Sequence, residues 1–69
     1  MTINFARAFY HGYFIDLEHD AQGWRVKALT HSLNDLSLRP PAFYYADQAT
    51  AERYAQAAII MQTSARRKR

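Results

Sequence analysis

Residues Tyr13 to Thr30, YFIDLEHDAQGWRVKALT, alternate apolar and polar side chains on both sides of a single turn signal, the period-two pattern of an antiparallel β-hairpin. Tyr13, Ile15 and Leu17 alternate with Phe14, Asp16 and Glu18, and on the return Trp24, Val26 and Ala28 alternate with Arg25, Lys27 and Leu29. Asp20-Ala21-Gln22-Gly23 links the two runs. Aspartate favours the first position of a type I turn, and glycine accepts the positive φ that such a turn needs at its end. With those four residues as the loop, Glu18 faces Arg25, Leu17 faces Val26, Asp16 faces Lys27, Ile15 faces Ala28 and Phe14 faces Leu29. Every pair then matches in character, each contributing about 0.2 to 1 kcal/mol. A shift of one residue would set Leu17 and Ile15 beside Arg25 and Lys27.

The second organising segment has the helical period. Asp47 is a good N-cap, and Gln48 to Gln62 is rich in alanine and free of glycine and proline. At 100° per residue, Ala51, Tyr54, Ala55, Ala58 and Met61 fall on one side, with Glu52, Arg53, Gln56 and Thr63 on the other. Small residues allow close approach to a sheet, and Tyr54 and Met61 are expected to supply the bulk. Ile60 projects with the polar set. Together with Phe14 and Leu29 on the hairpin's mixed face, it marks apolar surface that one helix cannot cover, so Phe14, Leu29 and Ile60 are the candidate protein-interaction residues.

The remaining segments carry weaker signals. Ile3, Phe5 and Phe9 alternate loosely, which suits an additional edge strand or ordered leader ahead of Gly12. In His31 to Leu38, a capping pattern at Ser32 and Asp35 competes with strand alternation at Leu36 and Leu38. Pro40-Pro41 interrupts regular structure because proline lacks a backbone donor and restricts its predecessor. Phe43-Tyr44-Tyr45 reads as a short third strand. The expected fold class is α+β: a small antiparallel sheet, with its central β-hairpin at about 13–30 plus one or two short strands, packed on one C-terminal helix at about 47–62. Residues 1–65 form a single domain and residues 66–69 a basic tail. In outline this order is similar to antitoxin-like and double-stranded-RNA-binding-like β-β-β-α layouts, a likeness of shape that assigns no residue a role.

A domain of 69 residues buries only about 60% of its unfolded surface, so stability is marginal without help. The chain has no cysteine, which removes disulfides, thiolate zinc sites and thiol nucleophiles together. An apolar fraction of 49% with ten aromatic residues is ample for a packed core. No apolar run approaches the length of a membrane span, and Asn4, Arg7, His11 and Gly12 interrupt any secretory-type hydrophobic stretch, so a cytoplasmic protein is expected.

Charge is concentrated at one end. Arg66, Arg67, Lys68 and Arg69 close the chain, whereas residues 1–65 carry five positive against six negative groups. Four consecutive cations suit phosphate neutralisation, for which four contacts predict a salt slope of roughly −3 to −4 on duplex DNA. They also complement the negative end of a helix and aid solubility. Tyr10, His11, Tyr13, Phe14, Tyr44 and Tyr45 are the aromatics able to stack on bases from an open sheet, although alternation buries about half of them. His11, His19 and His31 lack the spacing of metal ligands, and Asp16 and Glu18 are accounted for by cations across the hairpin. The chain contains no Gly-rich phosphate loop, nucleophile elbow or HExxH pattern. The expected function is therefore a non-catalytic binding module without cofactor or metal, its tail contacting RNA or DNA electrostatically. The rival reading is a protein-interaction or regulatory adaptor, homodimeric in one version, using the mixed hairpin face or a sheet edge.

Overall fold

In a computed structural model, residues 4–67 are described, with side chains as far as Ser64. Five strands, β1 (Asn4–Tyr10), β2 (Tyr13–Asp20), β3 (Gly23–His31), β4 (Ser37–Leu38) and β5 (Tyr44–Tyr45), precede one helix, α1 (Gln48–Arg67). The sheet is antiparallel in the order β1-β2-β3-β4, and β5 shares the outer edge of β3 with β4. The α+β architecture with a hairpin and one C-terminal helix is the one the sequence predicts.

The core is the face of the sheet formed by Tyr13, Ile15, Leu17, Val26 and Leu29, closed by Ala51, Ala55 and Ile59 of α1. The helix face thus differs from the expected one. Tyr54 and Met61 are 54% and 70% exposed, while Ile59 is fully buried. Alanine contributes too little bulk to define a helix orientation, so several stripes of α1 score alike. The stripe that wins places Ile59 in the core cluster that holds Ile15 and Leu29. Tyr54 instead lies flat on Tyr45, with ring centroids 4.9 Å apart and planes 13° from parallel. Desolvation, and then the neighbouring Tyr54, push the Tyr45 hydroxyl's pKa up.

A β-bulge corrects the hairpin register. Glu18 faces Arg25 and Leu17 faces Val26 as expected, but the ladder then shifts between Leu17 and Asp16. Asp16 faces Ala28, Ile15 faces Leu29 and Phe14 faces Thr30, and Lys27 is the extra residue. The slip moves Leu29 from the mixed face to the core, where it is fully buried. Leu29 is therefore no part of an interaction surface, and Asp16 bonds a cation on the other side, Arg7 of β1. The loop at this hairpin's tip is Ala21-Gln22, between paired Asp20 and Gly23, with the Asp20 carboxylate accepting from Gln22 N–H at 2.9 Å.

Ahead of Gly12, Asn4–Tyr10 form a full strand. His11 and Gly12, with φ of 55° and 87°, make a two-residue turn in which both residues are left-handed, the type I′ geometry that joins twisted strands tightly. The chain between the prolines and β4 is held by α1: the Gln62 amide accepts from Arg39 N–H at 3.0 Å and donates to Arg39 C=O at 2.8 Å. One side chain thereby satisfies a backbone pair for which the adjacent Pro40 can offer no N–H.

The helix begins as expected, with the Asp47 carboxylate accepting from Thr50 N–H at 2.8 Å. It continues to Arg67, beyond the expected end at Gln62, because no breaker follows and the terminal cations suit the negative helix end. The bonds to Thr50 hold the Asp47 pKa below the usual carboxylate range. A depressed acid stabilises the fold above its unfolded pKa and loses that contribution as pH falls through its folded value. Asp47→Ala is thus expected to lower Tm at neutral pH, with the gap from wild type closing below about pH 4. Paired thermal melts across pH check this.

Candidate functional site

Because α1 covers only one side, no element among the described residues covers the other face of β1, β2 and β3. The same alternation that sends Tyr13, Ile15 and Leu17 inward sends Phe14, Asp16 and Glu18 outward, and cross-strand pairing aligns Phe9, Arg7 and Phe5 with them. Phe5 and Phe9 are 64% and 60% exposed. Phe9 meets Phe14 edge-on at 5.4 Å between ring centroids.

Charged groups are interleaved with these rings. The Arg7 guanidinium lies 4.7 Å from the centre of the Phe14 ring while its Nε donates to Asp16 at 2.7 Å. That hydrogen bond first, and the Asp16 charge second, push the Arg7 pKa up. Arg25 donates to Glu18 at 2.7 Å. Lys27, displaced by the bulge, reaches across β2 to within 5.3 Å of the Phe5 ring centre. The face therefore combines aromatic area with nearly balanced charge, and two of its three cations are already engaged by carboxylates. Such a surface favours a partner of mixed apolar and polar character over a polyanion.

The residues singled out from the sequence do not converge. Phe14 lies half-buried on this face, Leu29 is in the core, and Ile60 is 43% exposed on the outer side of α1. Of the possible stacking aromatics, Tyr13 is buried, Tyr10 and Tyr45 are half-buried, and Tyr44 is exposed. His19 packs on Trp24 and His31 on Tyr13, each within 5 Å between ring centroids. Among the described residues no three histidine or acidic side chains converge as metal ligands. The Arg66 and Arg67 backbone continues α1, whereas their side chains, with Lys68 and Arg69, lie outside the described residues.

Among the described residues, two concavities stand out. One, of about 410 Å³, follows α1 past Thr50, Arg53, Tyr54 and Ala57. The other, of about 160 Å³, lies between the start of β3 and residues 41–44. Neither brings together a nucleophile and a base. Phe5, Arg7 and Phe9 were not among the sequence candidates. Their signal is the alternation Phe5-Ala6-Arg7-Ala8-Phe9 followed by a glycine-containing two-residue turn. No family model, curated protein or solved structure matches the chain in the comparisons made.

Proposed function

We propose that the chain is a non-catalytic protein-interaction module that binds through the open face of its sheet. The carrying observation is the exposed aromatic set Phe5 and Phe9 beside Phe14, on a face whose charges are largely paired within the chain. Exposed apolar patches on small domains mark contact surfaces, and aromatic residues beside arginine are the typical anchors of such contacts. No described helix is long and apolar enough to cross a membrane. A cytoplasmic location goes with this reading, in keeping with a chain free of cysteine.

The immobilised chain and a Phe5→Ser/Phe9→Ser variant test the reading. Both side chains are more than half exposed, so the variant is expected to keep its helical and sheet circular dichroism while losing the proteins retained by wild type. Equal retention by the two would count against the open face. Contact of the tail with RNA or DNA is the second reading, supported by the four consecutive cations Arg66 to Arg69. Deleting them is then expected to abolish a mobility shift at low salt and leave protein retention intact.

A further inference from the structure

We propose that the outer edge of β1 pairs with β1 of a second copy, antiparallel and centred on Arg7, joining two five-stranded sheets into one. This goes beyond the protein-interaction reading, since it adds a second copy at the sheet edge and leaves the open face uncovered. β1 ends the sheet, and among the described residues nothing pairs with its outer edge. Seven residues without proline form that edge, an arrangement that natural sheets ordinarily shorten, cover or interrupt.

Backbone direction and sequence agree on a single register. The two-residue turn closes on Tyr10 and Tyr13, which makes this a hydrogen-bonded pair, and alternation then turns the N–H and C=O groups of Ala8, Ala6 and Asn4 toward β2. Those of Phe9, Arg7 and Phe5 point outward. Phe5-Ala6-Arg7-Ala8-Phe9 reads the same in both directions, so a two-fold axis at Arg7 sets Phe5 opposite the partner copy's Phe9, alanine opposite alanine, and Arg7 opposite its own counterpart. The axis falls on an outward-pointing residue. Each outward N–H and C=O of Phe5, Arg7 and Phe9 therefore finds a partner.

The charge at the centre is already compensated. Arg7 leans to Asp16 and over Phe14, toward β2 and away from the edge, so the two guanidinium groups each keep a carboxylate within 2.7 Å. A two-fold axis through an antiparallel edge pair runs perpendicular to the sheet, placing both helices on one side and both open faces on the other. Phe5 and Phe9, exposed in the single chain, then become cross-strand neighbours in a continuous aromatic band.

Residue-resolved amide exchange on the full chain, dilute and concentrated, tests the pairing. Phe5, Arg7 and Phe9 are expected to exchange fast when dilute and at least about tenfold more slowly when concentrated, while Ala6 and Ala8 stay protected in both. Exchange independent of concentration at those three amides overturns the proposal, as does slowing confined to the Tyr54 to Met61 side of α1. Arg7→Pro gives a second measurement, because proline is tolerated where a strand's N–H faces solvent. A folded Arg7→Pro chain that is monomeric by light scattering supports the edge pair, and one that still dimerises overturns it. If the variant does not fold, the wild-type exchange pattern decides. If that pattern fails while Phe5→Ser/Phe9→Ser still loses retained proteins, the edge pair falls and the module reading stands.

Discussion

Leu29→Ala is expected to destabilise the domain by roughly 3 kcal/mol, because it empties volume beside its cross-strand neighbour Ile15 in a core cluster where these two and Ile59 are fully buried. A domain this small rarely holds more than about 3 to 5 kcal/mol in total. The substitution is therefore expected to lower Tm by roughly 15 °C or more and to leave a substantial unfolded fraction at room temperature. Denaturant titration followed by circular dichroism measures it. The prediction is specific to the bulged register. Were the ladder regular, Leu29 would stand beside Phe14 on the open face, and its truncation would cost less than about 1 kcal/mol.

Gly23→Ala is expected to be nearly as damaging, by roughly 2 to 3 kcal/mol, for two reasons that act together. Gly23 has φ of 124°, which side-chain-bearing residues rarely adopt, and a Cβ there would meet the Tyr45 carbonyl oxygen at 2.7 Å. Relief requires β5 to move away from β3, which disrupts the pairing of Trp24 with Tyr45 and disturbs the stack of Tyr45 on Tyr54. Asparagine, which tolerates left-handed backbone, does not rescue this site because the obstacle is a main-chain oxygen. Gly12 provides the contrast. Its φ is 87°, and the nearest atom to an added Cβ is His31 Nε2 at 3.6 Å, so Gly12→Asn is expected to cost only the conformational strain, about 1 kcal/mol, with no steric clash. Parallel unfolding curves for the three variants separate conformational strain from steric exclusion.

Much of the scaffold is legible in the sequence because it follows local rules. The alternation from Tyr13 to Thr30, the turn at Asp20 to Gly23 and the cap at Asp47 each depend on neighbours within a few residues. The bulge at Lys27 was not legible, since charge matching favours Asp16 opposite Lys27 until Arg7 is known to lie on the other side. That ion pair depends on β1, whose two-residue turn at His11-Gly12 reads more weakly than Asn-Gly would. With that segment read as either an edge strand or a leader, its pairing with β2 is left out, which displaces Leu29 and hides the open face together. The helix orientation was similarly underdetermined, because alanines at 51, 55, 57 and 58 fit more than one stripe and only packing over the sheet selects Ile59.

The candidate surface was partly legible. Phe14 was identified from its place on the mixed strand face, and it is on the open side. Its companions are Phe5 and Phe9, not Leu29 and Ile60, because contiguity on a sheet is set by cross-strand register. Hydropathy along the chain carries no record of that register. The basic tail is the reverse case, conspicuous in sequence yet lying largely outside the described side chains.

Amide chemical-shift mapping of the full chain with a short oligonucleotide, at low and at high salt, tests most directly whether the open sheet face binds nucleic acid, the point on which the protein-interaction reading and base stacking divide. The predicted result is that Phe5, Arg7, Phe9 and Phe14 do not move at either salt, and that any shift at low salt is confined to residues 64–69 and vanishes at high salt. Saturable shifts at Phe5, Phe9 and Phe14 that persist at high salt would contradict it, making the aromatic face a site for stacking bases.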